Sequence, residues 1–403
     1  MSIAEKIADT IIANHNVRVE GSLCTRFRSP KSGCTSCADI CPVDAISLSG
    51  KGAELTGACN ECGVCLSVCP NGVFSMKKRG DEELIGEIDE TAERRGRGQT
   101  KEFCISCERG DGKADLLAPC LGRLTEALLI KPISAGFSSI HIARPECPEC
   151  PNAKASPHID RMLDRARALF EMVNVKSEKL VVRRMPLQPP AQRPEKPVTR
   201  RELFSALRSK AAEMAAAALP EGGEKTEGKE MTFLQAIGRN SGNVKRTLLV
   251  QALKAFSQVK EAYLPSEQAM LADITVSPRC TACGVCASLC PTKALTNDWT
   301  GDKFSVTFKP SLCTNCRVCV DTCGPRAITI GESARLNCLI EDKTVKVFEA
   351  GRKICPVCRM DFILPSGDLS TAGGEAPGLP DICPLCLDRH KKQQAFLQQG
   401  FLK

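Results

Sequence analysis

Two stretches of the chain share one cysteine spacing: residues 280–291, CTACGVCASLCP, and residues 313–325, CTNCRVCVDTCGP. In each stretch the cysteines fall at positions 1, 4, 7 and 11. Three thiolates on one tight loop can hold three corners of an iron-sulfur cubane, while the fourth reaches the neighbouring cube. The spacing therefore predicts two clusters with these ligands: Cys280, Cys283, Cys286 and Cys323 for one, and Cys313, Cys316, Cys319 and Cys290 for the other.

These eight cysteines make residues 266–335 resemble the bacterial two-cluster ferredoxins. The resemblance implies a ferredoxin-like fold with two 4Fe-4S clusters. The stretch departs from the family at Gly324, which moves the proline of the usual Cys-Pro pair to Pro325. A pair of zinc knuckles is the alternative, but zinc sites mostly arrange their cysteines as C-x2-C pairs without a third evenly spaced one.

Residues 1–80 carry a second copy of the pattern. Residues 59–70, CNECGVCLSVCP, keep the spacing, whereas the other half has Lys31 where its first cysteine should be. We expect Cys24 to supply the missing thiolate across a longer loop; the alternative is a three-iron cluster with Cys24 free. The predicted ligands of this module are Cys24, Cys34, Cys37, Cys41, Cys59, Cys62, Cys65 and Cys69.

A matching phrase follows the last cysteine of each pattern: CPVDAISL, CPNGVFSM, CPTKALTN and CGPRAITI. Four copies of one phrase indicate an internal repeat. In each copy the proline should end a short cysteine-bearing helix, and the apolar pair should pack over the cluster as a turn and strand. Residues 1–14, with isoleucines at 3, 7 and 11, predict an amphipathic helix on the first module.

Residues 81–185 change from cysteine loops to alternating strands and helices. The apolar runs predict strands over 101–104, 114–120, 136–143 and 179–184, with helices over 123–130 and 158–173. This alternation is typical of a parallel sheet. Cys104 and Cys107 should follow the first strand, Cys120 the second, and Cys147 and Cys150 the third, so all five should gather at the carboxyl edge.

This middle stretch resembles the delta subunit family of methyl-viologen-reducing hydrogenase, which passes electrons to heterodisulfide reductase. The resemblance rests on CISC at Cys104, APCLGR around Cys120, CPEC at Cys147 and the helix after Asn152. It implies a 2Fe-2S cluster (or a 4Fe-4S cluster) on four of the five cysteines, although the C-x2-C spacing at Cys147 is shorter than in the family. A four-thiolate zinc site is the alternative.

Residues 186–265 predict a proline-rich linker and a helical insert, with helices over 200–220 and 245–256. In residues 336–403, Cys355, Cys358, Cys383 and Cys386 form two C-P-x-C knuckles, a zinc-ribbon or rubredoxin-like pattern that would hold zinc (or iron). Cys338 is left over and should be a buried small hydrophobe. His390 should lie at the surface. The fold class predicted is α+β multidomain: two ferredoxin-like modules, a small α/β parallel-sheet domain between them, and a zinc-ribbon-like tail.

The chain has 403 residues and 26 cysteines, a net charge of +8, and neither a signal peptide nor an apolar run of membrane-spanning length. We therefore expect a cytoplasmic protein with metal-loaded thiols, four 4Fe-4S clusters and one smaller cluster. No substrate motif is evident, so the function predicted is a non-catalytic electron relay between redox proteins, such as heterodisulfide reductase-like, hydrogenase or formate dehydrogenase subunits. The basic charge leaves a redox-sensing nucleic-acid-binding protein as an alternative, but no nucleic acid is expected. The second alternative is a reductase whose middle cluster is catalytic.

Overall fold

The computed structural model describes residues 15–56, 58–96, 101–190, 233–238, 242–365 and 382–400. The helices predicted over 1–14 and 200–220 lie outside these ranges. Within them, mainly short helices combine with six small sheets, one of them parallel. The mixed α+β class is confirmed at this level.

The first module, residues 15–80, is made of two antiparallel strand pairs and three short helices. β1 pairs with β4, and β2 pairs with β3 as a hairpin. Val17, Leu23, Leu66 and Phe74 are buried between them. The elements are β1 (Val17–Val19), α1 (Thr25–Arg28), α2 (Ser36–Asp39), β2 (Ile46–Ser49), β3 (Gly52–Leu55), α3 (Val64–Val68) and β4 (Phe74–Met76).

The middle module, residues 81–185, has the predicted alternation of strands and helices. Its four strands form a parallel sheet in the order β6-β5-β7-β8. Phe103, Ile105, Ile140 and Ile142 are fully buried and alternate along two strands, as the period of two requires. The elements are α4 (Asp81–Arg95), β5 (Glu102–Cys107), β6 (Leu116–Ala118), α5 (Glu126–Ser134), β7 (Ser139–Pro145), α6 (Ser156–Met172) and β8 (Leu180–Met185).

A single helix of the insert, α8 (Val244–Lys254), contacts all three cluster-bearing modules; it follows the short helix α7 (Phe233–Gly238). Asn243 caps α8, since its side-chain oxygen accepts a hydrogen bond from the Arg246 amide. Leu249 and Leu253 are buried in the core of the middle module. The helix predicted over 245–256 is confirmed.

The second module, residues 266–335, repeats the strand pairing of the first. β10 pairs with β13, as β1 does with β4, and β11 pairs with β12 as a hairpin, as β2 does with β3. In addition, β14 pairs with β9, which lies just before residue 266. The elements are β9 (Tyr263–Pro265), β10 (Ile274–Val276), α9 (Val285–Leu289), β11 (Leu295–Thr300), β12 (Lys303–Phe308), α10 (Val318–Thr322), β13 (Ile328–Ile330) and β14 (Ser333–Arg335).

The tail continues the fold of the second module. β11 and β12 join β15 (Val345–Ile354) and β16 (Asp361–Pro365) in one antiparallel sheet, which crosses the boundary predicted at residue 335. Helix α11 (Pro384–Gly400) follows. Ala334, Leu336 and Leu339 also belong to the core of the middle module. The middle module and the second module therefore share one apolar core.

The backbone supports the fourfold repeat. The third residue after the last cysteine of each pattern has a positive φ: 49° at Asp44, 74° at Gly72, 54° at Lys293 and 51° at Arg326. A left-handed residue at one fixed position in all four copies makes the chain turn back over the preceding loop. A strand starts soon after each turn, as predicted.

Candidate iron-sulfur and metal sites

The structure brings twenty of the predicted ligands together as five sets of four cysteines. They are numbered site 1 to site 5, so that each site lies next to the one before it. Site 1 lies at the carboxyl edge of the parallel sheet. Cys107 ends β5, Cys120 follows β6, and Cys147 and Cys150 follow β7. Burial raises the pKa of the Cys107 thiol, and the nearby thiols of Cys147 and Cys150 raise it further. The thiols of Cys107 and Cys147 likewise add to the effect of burial on the pKa of Cys120, so these cysteines lie near one another. A bound metal would favour their ionised form.

Cys104 lies apart from site 1. Strand β5 continues through Cys104 to Cys107, so the strand end predicted at residue 104 is wrong. The Cys104 amide donates a hydrogen bond to Asp115 Oδ2 at 2.8 Å. Burial raises the pKa of its thiol, and the charged neighbours that act on it most are not cysteines but Asp111, Asp115, Arg183 and Glu102. Of the five cysteines predicted to gather here, the structure brings four together.

Site 2 is a small cavity of the first module lined by Cys41, Cys59, Cys62 and Cys65. Its other walls are mainly apolar and include Val17, Ile46 and Leu55. The Ala45 amide donates a hydrogen bond to Cys41 Sγ at 3.2 Å. Backbone N–H groups aimed at cysteine sulfur stabilise the negative charge of a bound iron-sulfur cluster, so the donor set fits such a group.

Site 3 is a cavity lined by Cys24, Cys34, Cys37 and Cys69. Burial raises the pKa of the Cys37 thiol to about 12, and the other three thiols of the set raise it as well. A Cβ at Gly52, whose φ is +103°, would lie 3.2 Å from the Cβ of Cys24, so this glycine leaves room for the loop that carries Cys24. The position of Cys24 therefore suits its predicted role, and Lys31 lines the same cavity.

We expect Cys24→Ser to lose or convert the cluster at site 3 alone, because serine holds iron far less well than a thiolate does. Mössbauer spectra and iron content per chain of the variant and the parent measure this. Cys338→Ser, which changes a cysteine outside all five sets, is the matched control. A Cys24→Ser spectrum with the parent's cubane content would mean that Cys24 is not a ligand.

Sites 4 and 5 are the two cavities of the second module. Cys290, Cys313, Cys316 and Cys319 line site 4, and Cys280, Cys283, Cys286 and Cys323 line site 5. These are the two sets that the spacing predicts. The Ala327 amide donates to Cys323 Sγ at 3.1 Å, as Ala45 does to Cys41. The displacement of proline by Gly324 therefore preserves the hydrogen bond to the cysteine sulfur.

The tail site differs from the other five in its spacing. The Sγ atoms of Cys355, Cys358, Cys383 and Cys386 lie within 4.8 Å of one another, with 3.7 Å between Cys358 and Cys383. Burial alone would raise the pKa of Cys355, but the backbone amides of Cys358, Cys383 and Val357 lower it to about 6. A single metal with bonds of about 2.3 Å to sulfur holds tetrahedral thiolates about 3.8 Å apart. The tail set therefore fits one mononuclear metal ion.

Among the residues that the structure describes, no other group of three or more cysteine, histidine or acidic ligands is as tightly spaced as the tail set. The thiols of sites 2 to 5 converge on cavities without meeting that spacing. This arrangement fits a polynuclear cluster better than a single zinc ion. It weighs against the zinc-knuckle alternative for the ferredoxin-like modules.

The five sites adjoin one another in a single row. Cys62 of site 2 and Cys120 of site 1 belong to the same group of packed, buried residues. Burial raises the pKa of the Cys120 thiol, and the nearby Cys62 thiol raises it further. The Cys37 thiol of site 3 likewise adds to the effect of burial, which raises the pKa of the Cys65 thiol of site 2. Site 1 therefore adjoins site 2, and site 2 adjoins site 3.

The row continues from the first module into the second. Cys316 of site 4 lines the cavity of site 3, and Thr314 donates a hydrogen bond to Asn71 across this boundary at 2.7 Å. In the second module, Cys286 of site 5 helps to raise the pKa of Cys319 of site 4, which burial raises most. The order is therefore site 1, site 2, site 3, site 4 and site 5.

Comparison with known families agrees with the geometry of the second module. Residues 279–335 match the 4Fe-4S dicluster domain family. No curated protein and no solved structure matches the chain. The matched segment contains all eight cysteines of sites 4 and 5. Together with the other cysteine sets, this makes the chain an iron-sulfur electron-transfer protein.

Three further observations concern residues outside the sites. Cys338 is half-buried against the core and accepts a hydrogen bond from Arg335, so it is less buried than predicted. His390 is exposed, as predicted. No helix in the described ranges is long and apolar enough to cross a membrane.

Proposed function

We propose that the chain is a one-electron relay subunit of a redox assembly. The observation that carries this proposal is the unbroken row of five cysteine sites, because each site adjoins the next across every module boundary. When bound, each cluster would supply one-electron redox chemistry. The protein's own contribution is to hold the five sets in sequence and to surround them with apolar side chains and N–H donors.

The ligands proposed are four 4Fe-4S clusters at sites 2 to 5, a 2Fe-2S cluster at site 1 and zinc at the tail site. The two ends of the row differ in setting. Site 1 lies beside the exposed residues 148 and 149, which follow β7. Site 5 has an exposed thiol at Cys283, flanked by exposed Arg279 and Arg326. We assign site 1 as the docking node for a heterodisulfide reductase-like, hydrogenase or formate dehydrogenase subunit, on the resemblance of the middle module. The basic flank of site 5 suits an acidic redox protein.

The experiment that tests this function is a metal count on anaerobically reconstituted full-length protein. We expect about 18 iron atoms and about one zinc atom per chain, from four cubanes, one 2Fe-2S cluster and one four-cysteine zinc site. Iron, acid-labile sulfide and zinc are measured on one preparation, followed by a redox titration in which each step involves one electron. A preparation that takes up zinc alone would rule out the relay.

A further inference from the structure

Three cationic side chains lie at the crossing between sites 3 and 4, where the row passes from the first module to the second. Arg28 is 1% exposed and Arg246 is 8% exposed, while Lys245 is half-buried. None of the three forms an ion pair with a carboxylate within 4.0 Å among the described residues. In the part of the chain that the structure describes, these three cations therefore lack a carboxylate in direct contact.

Each cation is bound to the backbone of a cluster cysteine. Lys245 Nζ donates to the Cys69 carbonyl at 2.5 Å, and also to the carbonyls of Leu66 and Ser67 at 2.7 and 3.0 Å. Arg246 Nη2 donates to the Cys313 carbonyl at 2.7 Å. Arg28 Nε donates to Ser22 O at 2.7 Å, and its Nη1 reaches the Cys290 carbonyl at 3.5 Å. Cys69 belongs to site 3, and Cys313 and Cys290 belong to site 4.

The negative charges that act on the three cations are cluster thiols and two carboxylates, those of Glu126 and Asp81. Burial disfavours charged Arg28, and the groups that favour it are the thiols of Cys290 and Cys316. Glu126 acts on Lys245 and Arg246, and Asp81 acts on Lys245. Both carboxylates already form ion pairs with other arginines, Glu126 with Arg165 at 3.1 Å and Asp81 with Arg123 at 2.6 Å. In addition, Arg28 Nη2 and Arg246 Nη1 are buried without a hydrogen-bond partner. Buried charges are normally paired. Among the described residues, the cations at this crossing outnumber the carboxylates that act on them, so the cluster sites are the remaining source of negative charge.

Sites 1 and 2 show the contrasting arrangement. Buried Arg144 beside site 1 forms an ion pair with Asp160, and buried Arg123 beside site 2 forms one with Asp81 at 2.6 Å. At site 5, Arg279 and Arg326 are exposed, so solvent and salt screen them. Among the described residues near the five sites, shielded cations without a carboxylate in direct contact are therefore a feature of sites 3 and 4.

We propose that Arg28, Lys245 and Arg246 are the counter-ions of the clusters at sites 3 and 4, and that they make this pair a two-electron store in the middle of the row. This inference rests on the proposed relay function. A cluster held by four thiolates is anionic and becomes more so when it gains an electron, and nearby positive charge favours that reduced state. Each of the two sites takes one electron from a low-potential reductant, and no bond forms or breaks.

The test is an EPR-monitored redox titration of the loaded full-length chain, with dithionite as reductant. Cys37→Ser and Cys316→Ser first identify the signals of sites 3 and 4. We expect these two to be reduced at the highest potentials of the four cubanes. In Arg28→Gln, Lys245→Met and Arg246→Gln, the ratio of reduced to oxidised cluster at the parent's midpoint should fall at least about tenfold at the adjoining site, about 59 mV for one electron.

The controls separate charge from structure. Arg28→Lys, Lys245→Arg and Arg246→Lys keep the charge and should keep the parent's potentials, and the signal of site 5 should not move in any variant. Arg326→Gln removes a screened surface charge and should have little effect. Because Lys245 is half-buried, Lys245→Met is the variant expected to assemble in full, and its titration decides the question if the arginine variants do not fold.

Unchanged potentials in Lys245→Met would overturn the inference, as would equal shifts in the neutral and charge-conserving variants. In both cases the clusters would be present and reducible, so the proposed relay would stand. A parent protein without reducible clusters would instead overturn the relay itself, and the electron store with it.

Discussion

Cys120→Ser is expected to abolish the cluster at site 1 while the four cubanes remain, so that iron content falls from about 18 to about 16 atoms per chain. Cys120 is 8% exposed, and its Sγ accepts a hydrogen bond from the Gly122 amide at 3.4 Å. Burial raises the pKa of its thiol, and the thiols of Cys62, Cys107 and Cys147 add to that effect. Serine at this position would leave one metal corner without a soft ligand. Iron and sulfide analysis with EPR of the reduced protein measures the loss.

The functional consequence of Cys120→Ser concerns the docking node. The variant should still take electrons from dithionite, because sites 2 to 5 keep all their ligands. It should fail to exchange electrons with the physiological partner at site 1. Partner-dependent transfer at the parent's rate, after loss of the site 1 cluster, would show that the middle module is structural and that partners dock elsewhere.

Cys104→Ser is the matched control for Cys120→Ser. Both residues lie in the middle module, but Cys104 lies within β5 and apart from the other four cysteines. We expect Cys104→Ser to keep the full iron content. Loss of the cluster in Cys104→Ser together with its retention in Cys120→Ser would mean that the ligand set of site 1 is wrong.

The sequence predicts the local structure of this chain well, because cysteine spacing and apolar periodicity are local signals. The cysteine sets of sites 4 and 5 follow from the fixed spacing within two loops, each of which provides three cysteines to one site and the fourth to the other. The four parallel strands follow from alternating apolar runs. The misplaced strand end at Cys104 has a simple cause: residues 102–107, EFCISC, alternate through both cysteines, so a cysteine at residue 104 does not end the strand.

The sequence does not predict how the modules dock, because docking depends on contacts between residues far apart in the chain. Arg28 reaches the Leu289 carbonyl at 3.3 Å, and Lys245 reaches Cys69. Both cations lie in segments whose local pattern indicates no more than a short helix. An apolar stripe in VKRTLLVQALK predicts that α8 packs on a core, but it does not show that Lys245 and Arg246 contact different modules. The row of five sites therefore becomes visible in the structure alone.

Arg123→Met is the change expected to loosen the first module from the middle module most strongly, by about 3–5 kcal/mol. Arg123 is 1% exposed, and its Nη1 lies 2.6 Å from Oδ1 of Asp81, which is also buried. Its aliphatic stem fills the space above Gly63, where a Cβ would lie 2.4 Å from Arg123 Cδ. Methionine keeps part of this stem, so the main loss is the charge. Asp81 is then left buried and unpaired, which is the costly half of breaking a buried ion pair.

Hydrogen exchange on the loaded protein measures this local opening without global unfolding. Amides of Val64–Val68, which pack against residues 121–123, should exchange at least about a hundredfold faster in Arg123→Met. The double variant Arg123→Met with Asp81→Asn removes both charges and should restore most of the protection. Amides of β10 and β13 in the second module serve as the internal control. Unchanged exchange in Arg123→Met would show that the ion pair does not hold these two modules together, and that the continuity between sites 1 and 2 depends on the apolar contact of Val64 with Ala155 and Cys120.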